Sequence, residues 1–204
     1  MERLATAGLT ALVAYGLGSV PAAYLVGRAV GHLDIRTEGE GNVGARNVFH
    51  EVGWKWGVAV FAADCGKGAA AALLYRDAPV WQLVLAAFFL LVGHAYPVWL
   101  GFVGGKGLAS ALGFGIALMP EAGFVAVAAG GMIYGVTRRF LPSIVVAAPA
   151  LFISAPFTGA EWPTIVISFG AFLLVALKRV IDEPRMRRIE EETGWDRARG
   201  GSLR

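Results

Sequence analysis

Apolar stretches of membrane length recur along this chain from near its start to about residue 178. Seven can be marked, at about 7–30, 54–75, 79–97, 107–119, 121–137, 141–157 and 162–178. A helix crossing a bilayer needs roughly 17–25 such residues, and in lipid every backbone N–H and C=O must find its partner within the protein. The fourth stretch is short for a full span, which leaves it tilted or partly re-entrant. Of the 204 residues 56% are hydrophobic and only 16% are charged, where soluble domains carry roughly 25% charged residues. The expectation is an all-α, polytopic membrane protein with about seven transmembrane helices. Residues 1–179 form one transmembrane unit, and 180–204 form a polar, solvated, partly helical cytoplasmic tail. The first stretch is too long for a signal peptide and holds Gly18, Pro21 and Tyr24, so it counts as a span. Gly113, Gly115, Gly130 and Gly131 suit close approach of helices.

Lysines and arginines accumulate on the cytoplasmic side of membrane proteins. If the connection at 31–53 is cytoplasmic, Arg28, Arg36, Arg46, Lys55, Lys106, Arg138, Arg139 and eight tail residues lie inside, including Arg197, Arg199 and Arg204. Only Arg3 and Arg76 then lie outside, a split of 15 to 2. This predicts a multi-pass protein of the cell inner or plasma membrane, N-terminus outside and C-terminus in the cytoplasm. Arg185, Arg187 and Arg188 are placed to meet anionic lipid head groups. The net charge of +3 therefore reflects topology, and nucleic acid is not an expected partner. The single cysteine, Cys65, excludes an internal disulfide, and the three histidines offer no metal-ligand spacing.

Two glycine-rich, charged stretches interrupt the apolar pattern, at residues 34–48 and 93–107. In the first, Gly39, Gly41 and Gly44 permit left-handed backbone and close approach of N–H groups to an anion. Asn42 and Asn47 add side-chain donors, and Arg46 adds a planar fork suited to phosphate or carboxylate. A flexible turn between helices is the competing reading. In the second, Gly104, Gly105, Lys106 and Gly107 lack the spacing of a P-loop. They can still offer N–H groups and an ammonium to a phosphate, reinforced by the dipole of a helix starting near Leu108. His94 precedes Pro97, which should break or kink the third segment; a structural and a ligand-contacting His94 stay equally open. Asp64 and Lys67, spaced i, i+3, share a helix face and can pair. Charges within a membrane segment mark functional candidates, and here a supporting role for the loops is favoured over chemistry. No Ser-His-Asp or Cys-His set is evident, so a covalent acyl-enzyme has no support.

The residues Gly18, Pro21, Tyr24, Arg28, Asp34, Arg36, Gly41, Asn42, Gly44, Ala45, Asn47, Asp64, Lys67, Gly68, Gly93, His94 and 104–107 occur in one order and spacing. This ensemble resembles the bacterial acyl-phosphate:glycerol-3-phosphate acyltransferases. The resemblance is strong from about residue 16 to 115 and weak beyond. It implies a seven-helix membrane fold with cytoplasmic glycine-rich active-site loops, and no metal or other cofactor. The implied reaction moves a fatty acyl group from acyl phosphate to the 1-hydroxyl of glycerol 3-phosphate, making lysophosphatidic acid. By the same resemblance Asn42, Gly44 and Asn47 line one phosphate site, and Lys106 with Gly104 and Gly105 the other. Gly41, His94 and Gly107 are further candidates for contact with substrate phosphate.

Three positions depart from that family's usual pattern. Glu40 stands where it has serine, Arg46 where it has threonine and His50 where it has arginine. The serine-rich stretch after the fifth segment is reduced to residues 141–143, and the usual histidine and asparagine after the last segment are missing. A carboxylate at Glu40 would repel phosphate unless protonated or paired, for example with Arg46, which can also supply the positive charge missing at position 50. Lys106, Arg46 and His50 are the expected catalytic groups, with a substrate phosphate oxygen, His50 or Glu40 as proton acceptor. A non-catalytic or re-specialised lipid- or phosphate-binding relative is one alternative, motivated by these departures. A small transporter is another.

Overall fold

The computed structural model describes residues 1–196 and 201–202; the expected tail charges Arg197, Arg199 and Arg204 lie outside them. The chain is an array of helices: α1 Glu2–Gly18, α2 Ala22–Val26, α3 Ala45–Glu51, α4 Trp54–Tyr75, α5 Val80–Ala95, α6 Leu108–Leu118, α7 Pro120–Thr137, α8 Phe140–Ser154 and α9 Trp162–Thr193. A two-residue antiparallel pairing of Trp195–Asp196 with Gly201–Ser202 follows α9.

Four stretches, Glu2–Gly31, Trp54–Tyr75, Val80–Leu100 and Trp162–Thr193, are long and apolar enough to cross a membrane. Leu108–Leu118 and Leu141–Phe157 are apolar but shorter. Leu9, Leu12, Phe124, Val127, Met132, Val166 and Leu173 are exposed on the outer faces of these helices, a belt for lipid rather than for water.

Prolines set several helix ends. Pro21 has no N–H and interrupts the first span between α1 and α2. The carbonyls of Gly18 and Val20 at that break accept hydrogen bonds from Lys67 Nζ of α4, at 3.0 and 3.1 Å. Pro97 stops α5 at Ala95, as expected, and a 3-10 turn at Val98–Leu100 follows.

Small residues bring the helices close. A side chain at Gly113 would collide with the Cys65 carbonyl, and one at Gly68 with the Ser110 carbonyl, so α4 and α6 cross backbone to backbone. Gly18 and Gly93 do the same for α1 and α5. Gly115 and Gly130 also pack against neighbours, whereas Gly131 faces open space. Below the first glycine-rich stretch Ile35, Val43, Val48, Val60 and Leu100 form their own small core.

The tail, expected to be solvated and partly helical, continues α9 without a break to Thr193, through Pro184. Met186, Glu190 and Trp195 are buried there.

Candidate active site

Asn47 organises the first glycine-rich stretch. It is fully buried, and its Nδ2 donates to the carbonyls of Ile35, Glu38 and Asn42 at 3.0, 2.9 and 3.1 Å. Its Oδ1 accepts the Glu40 N–H at 3.2 Å. A second anchor is Asp34, which takes hydrogen bonds from Arg36 (2.9 and 2.7 Å) and Arg28 (3.0 Å). Those bonds from Arg36 hold the Asp34 carboxyl below its ordinary range, and Asp34 raises Arg36 in turn. Arg36 also reaches the Leu100 carbonyl at 3.2 Å, tying the first stretch to the second.

Four of the glycine amides expected to face an anion are engaged within the protein. Gly41 N–H bonds Glu38 and Gly44 N–H bonds Asn42, while Gly104 and Gly105 N–H bond the carbonyls of Ala95 and His94. These glycines serve turns and close packing instead. Gly39 and Gly41 take left-handed φ of 56° and 63°. A side chain at Gly105 would strike both the Val43 carbonyl and the His94 ring, so the two stretches touch here. Helix starts add further donors: α3 starts at Ala45 and α6 at Leu108, neither with a side-chain cap, and first-turn N–H groups have no partner within a helix.

Both stretches and α9 enclose one cleft of about 540 Å³, within the usual range for a ligand site. Its lining has polar side chains, Glu40, Asn42, Arg46, Asp64, His94, Lys106 and Arg179. It also has apolar ones, Phe61, Leu108, Leu141, Ile144, Phe172 and Val175. Arg46 Nη1 donates to Glu40 Oε2 at 2.9 Å, the pairing anticipated for a carboxylate in this place. Lys106 has no ion-pair partner within 4 Å among the described residues. Burial lowers its pKa, with Arg179 and Arg46 adding to the effect and Glu40 and Asp182 opposing it. Lys106 is thus an uncommitted cation beside the start of α6.

Asp64 and Lys67 pair at 2.9 Å inside the helix array, and Lys67 braces the α1–α2 break. His94 is buried, with Nδ1 3.3 Å from the Ser110 hydroxyl and 3.8 Å from Asp64. A much smaller cavity of about 10 Å³ lies behind it, lined by Ser19, Asp64, Lys67, Gly104 and Gly105.

Seven of the expected residues therefore line the cleft: Asn42, Gly44, Arg46, Asp64, His94, Lys106 and Gly107. Gly41, Asn47, Lys67, Gly104 and Gly105 lie behind its wall. His50, expected to be catalytic, lies outside it. It is exposed, with its ring edge-on to Trp195 at 5.3 Å. Partial burial by its neighbours lowers its pKa, Arg46 adds to this and Glu40 opposes it. The residues missed from sequence come from α9. Arg179 lines the cleft and pairs with Glu183. Lys178 bonds Asp182 at 2.6 Å and lies over the Tyr96 ring at 4.5 Å. Only the i, i+4 charge pairs of this segment hinted at a continued helix.

A family model described as glycerol-3-phosphate acyltransferase matches residues 8–187. Glycerol-3-phosphate acyltransferase 5 of Dehalococcoides mccartyi is 35% identical over 181 residues, 85% of this chain and 77% of that protein. The glycerol-3-phosphate acyltransferase of Parasynechococcus marenigrum is 37% identical over 172 residues, 83% of this chain and 81% of its own. Among solved structures, the glycerol 3-phosphate form of PlsY (YgiH), an integral membrane glycerol 3-phosphate acyltransferase, superposes with a TM-score of 0.73 at 28% identity. The likeness covers 89% of this chain and 92% of that one.

Proposed function

The chain belongs to the glycerol-3-phosphate acyltransferase family, and from that premise we propose that it acylates the 1-hydroxyl of glycerol 3-phosphate with acyl phosphate as donor. The products are lysophosphatidic acid and inorganic phosphate. What carries this reading is one cleft whose lining offers both charged and apolar side chains, as a phosphorylated head and a fatty tail require.

The acyl chain lies along Phe61, Leu108, Ile144 and Phe172, which puts its phosphate beside Lys106 and the first turn of α6. The small, wholly polar acceptor is held by Asn42, Arg46 and Arg179 of the lining. The acceptor hydroxyl attacks the acyl carbonyl, a C–O bond forms, and the bond from the carbonyl carbon to the phosphate oxygen breaks. Lys106 and the α6 amides stabilise the negative charge that grows on the carbonyl oxygen and the departing phosphate. The hydroxyl proton passes to a phosphate oxygen of the substrate, because His50 stands outside the cleft and Glu40 is held by Arg46. Much of the acceleration then comes from holding both reactants in register.

Membrane sidedness follows the charge count: N-terminus outside, C-terminus and both glycine-rich stretches in the cytoplasm. Leu141, next to Arg138 and Arg139, also lines the cleft, which supports one face for all these connections. Thiol labelling of a cysteine placed at Met1 or Glu192 in a Cys65→Ser background tests it; labelling of Glu192→Cys from outside the cell would reverse the assignment.

The reaction is tested with purified protein, acyl phosphates of several lengths and glycerol 3-phosphate. Lysophosphatidic acid and phosphate should appear in equal amounts. No product at any acyl length would instead leave a non-catalytic lipid- or phosphate-binding relative.

A further inference from the structure

Past the last family-matched residue, 187, α9 runs on to Thr193, turns at left-handed Gly194 (φ 68°) and lays Trp195 against the first glycine-rich stretch. Three attachments hold this end in place. Arg185 Nη1 donates to the Gly41 carbonyl at 3.0 Å, and the Thr193 hydroxyl donates to the Gly39 carbonyl at 2.7 Å. Ile189 packs on Gly41 so closely that a side chain there would overlap it. The two clamped glycines flank Glu40.

Trp195 is buried, and the Arg46 guanidinium lies over its ring at 5.6 Å. Arg46 therefore has two fixings: Glu40 holds one Nη, and the indole supports the plane. One bond to Glu40 uses a single donor of five, so a fork remains for an anion in the cleft.

We infer that Trp195 is a positioning residue for the acceptor site, holding Arg46 in place for the phosphate of glycerol 3-phosphate. This rests on the proposed reading of the cleft. A long, free arginine loses rotamer freedom when it grips a ligand, and a preset one has already lost it. A cation over an indole adds electrostatic hold from the ring face. Both effects act on acceptor binding and leave the chemical step alone.

Trp195→Ala, Trp195→Phe, Arg46→Ala and the Arg46→Ala/Trp195→Ala double variant are compared in glycerol 3-phosphate titrations at saturating acyl phosphate. Trp195→Ala should raise KM for glycerol 3-phosphate about ten-fold with kcat kept within about two-fold, the scale of one well-formed cation–aromatic contact. Trp195→Phe should recover most of the loss, and the double variant should bind no worse than Arg46→Ala. An unchanged KM in Trp195→Ala, or an undiminished effect of Trp195→Ala on top of Arg46→Ala, overturns the proposal. Calorimetric Kd values for glycerol 3-phosphate without donor separate this from the reaction itself. If the wild type binds but does not turn over, while Trp195→Ala binds weakly, only the reaction falls. If binding by the active enzyme ignores Trp195, only the positioning role falls.

Discussion

Arg46 and Glu40 meet at 2.9 Å in the lining of the cleft, with the Glu40 side chain almost sealed from solvent. The pair explains how a carboxylate can stand in the proposed phosphate site, since its charge is answered locally. Truncating one partner of such a buried pair typically costs 2–5 kcal/mol, much of it from the charge left behind. Arg46→Thr alone should therefore lower kcat/KM for glycerol 3-phosphate by about 100-fold. Adding Glu40→Ser, which removes the stranded carboxylate, should restore at least about ten-fold of that. A double variant no better than Arg46→Thr would contradict the pairing argument.

Lys106 gives the site a pH signature. Its pKa is lowered, first by burial and then by Arg179 and Arg46, and the form proposed to bind phosphate is the protonated one. The ammonium is intact at low pH and is lost as pH rises through the lowered pKa. KM for acyl phosphate should hence climb on the alkaline side, starting below the ordinary lysine value of about 10.4. Lys106→Arg should move that limb out of reach. A limb unchanged by this substitution would assign it to another group.

Asn47 should matter to architecture more than to chemistry. Asn47→Ala strands the Glu40 N–H and three carbonyls that it now satisfies. A buried polar group left unpaired costs about 1–3 kcal/mol. The variant should show a lower Tm in detergent together with lost activity. An unchanged Tm would remove it from the scaffold.

Gly105 marks the seam between the two stretches. Gly105→Ala pushes a methyl into the Val43 carbonyl and the His94 ring. The helix array can stay folded while the stretches part, so activity should fall by at least about ten-fold with little change in helical content by circular dichroism. Full activity would show that the seam yields freely.

The helix array was legible because lipid leaves the backbone few options: the expected 54–75 reappears as Trp54–Tyr75 and 107–119 as Leu108–Leu118. The Asp64–Lys67 pair was legible from spacing alone. The role of the glycines was not. Gly104 and Gly105 suit an anion nest and a tight backbone seam equally well, and only the engaged N–H groups decide between them. The end of α9 was hidden for another reason. Arg185 meets Gly41, and Thr193 meets Gly39, across 144 and 154 residues of chain, a distance no local pattern encodes. That His50 packs against Trp195 and stays out of the cleft lining was hidden for the same reason, since the two are far apart in the chain.

Purified wild-type protein and Lys106→Ala, each incubated with acyl phosphate and labelled glycerol 3-phosphate, give the most direct test. One lysophosphatidic acid per phosphate released is expected from the wild type. A loss of at least about 100-fold is expected from the variant, at unchanged monodispersity. Wild-type turnover by Lys106→Ala would show that Lys106 is not where the donor phosphate is held.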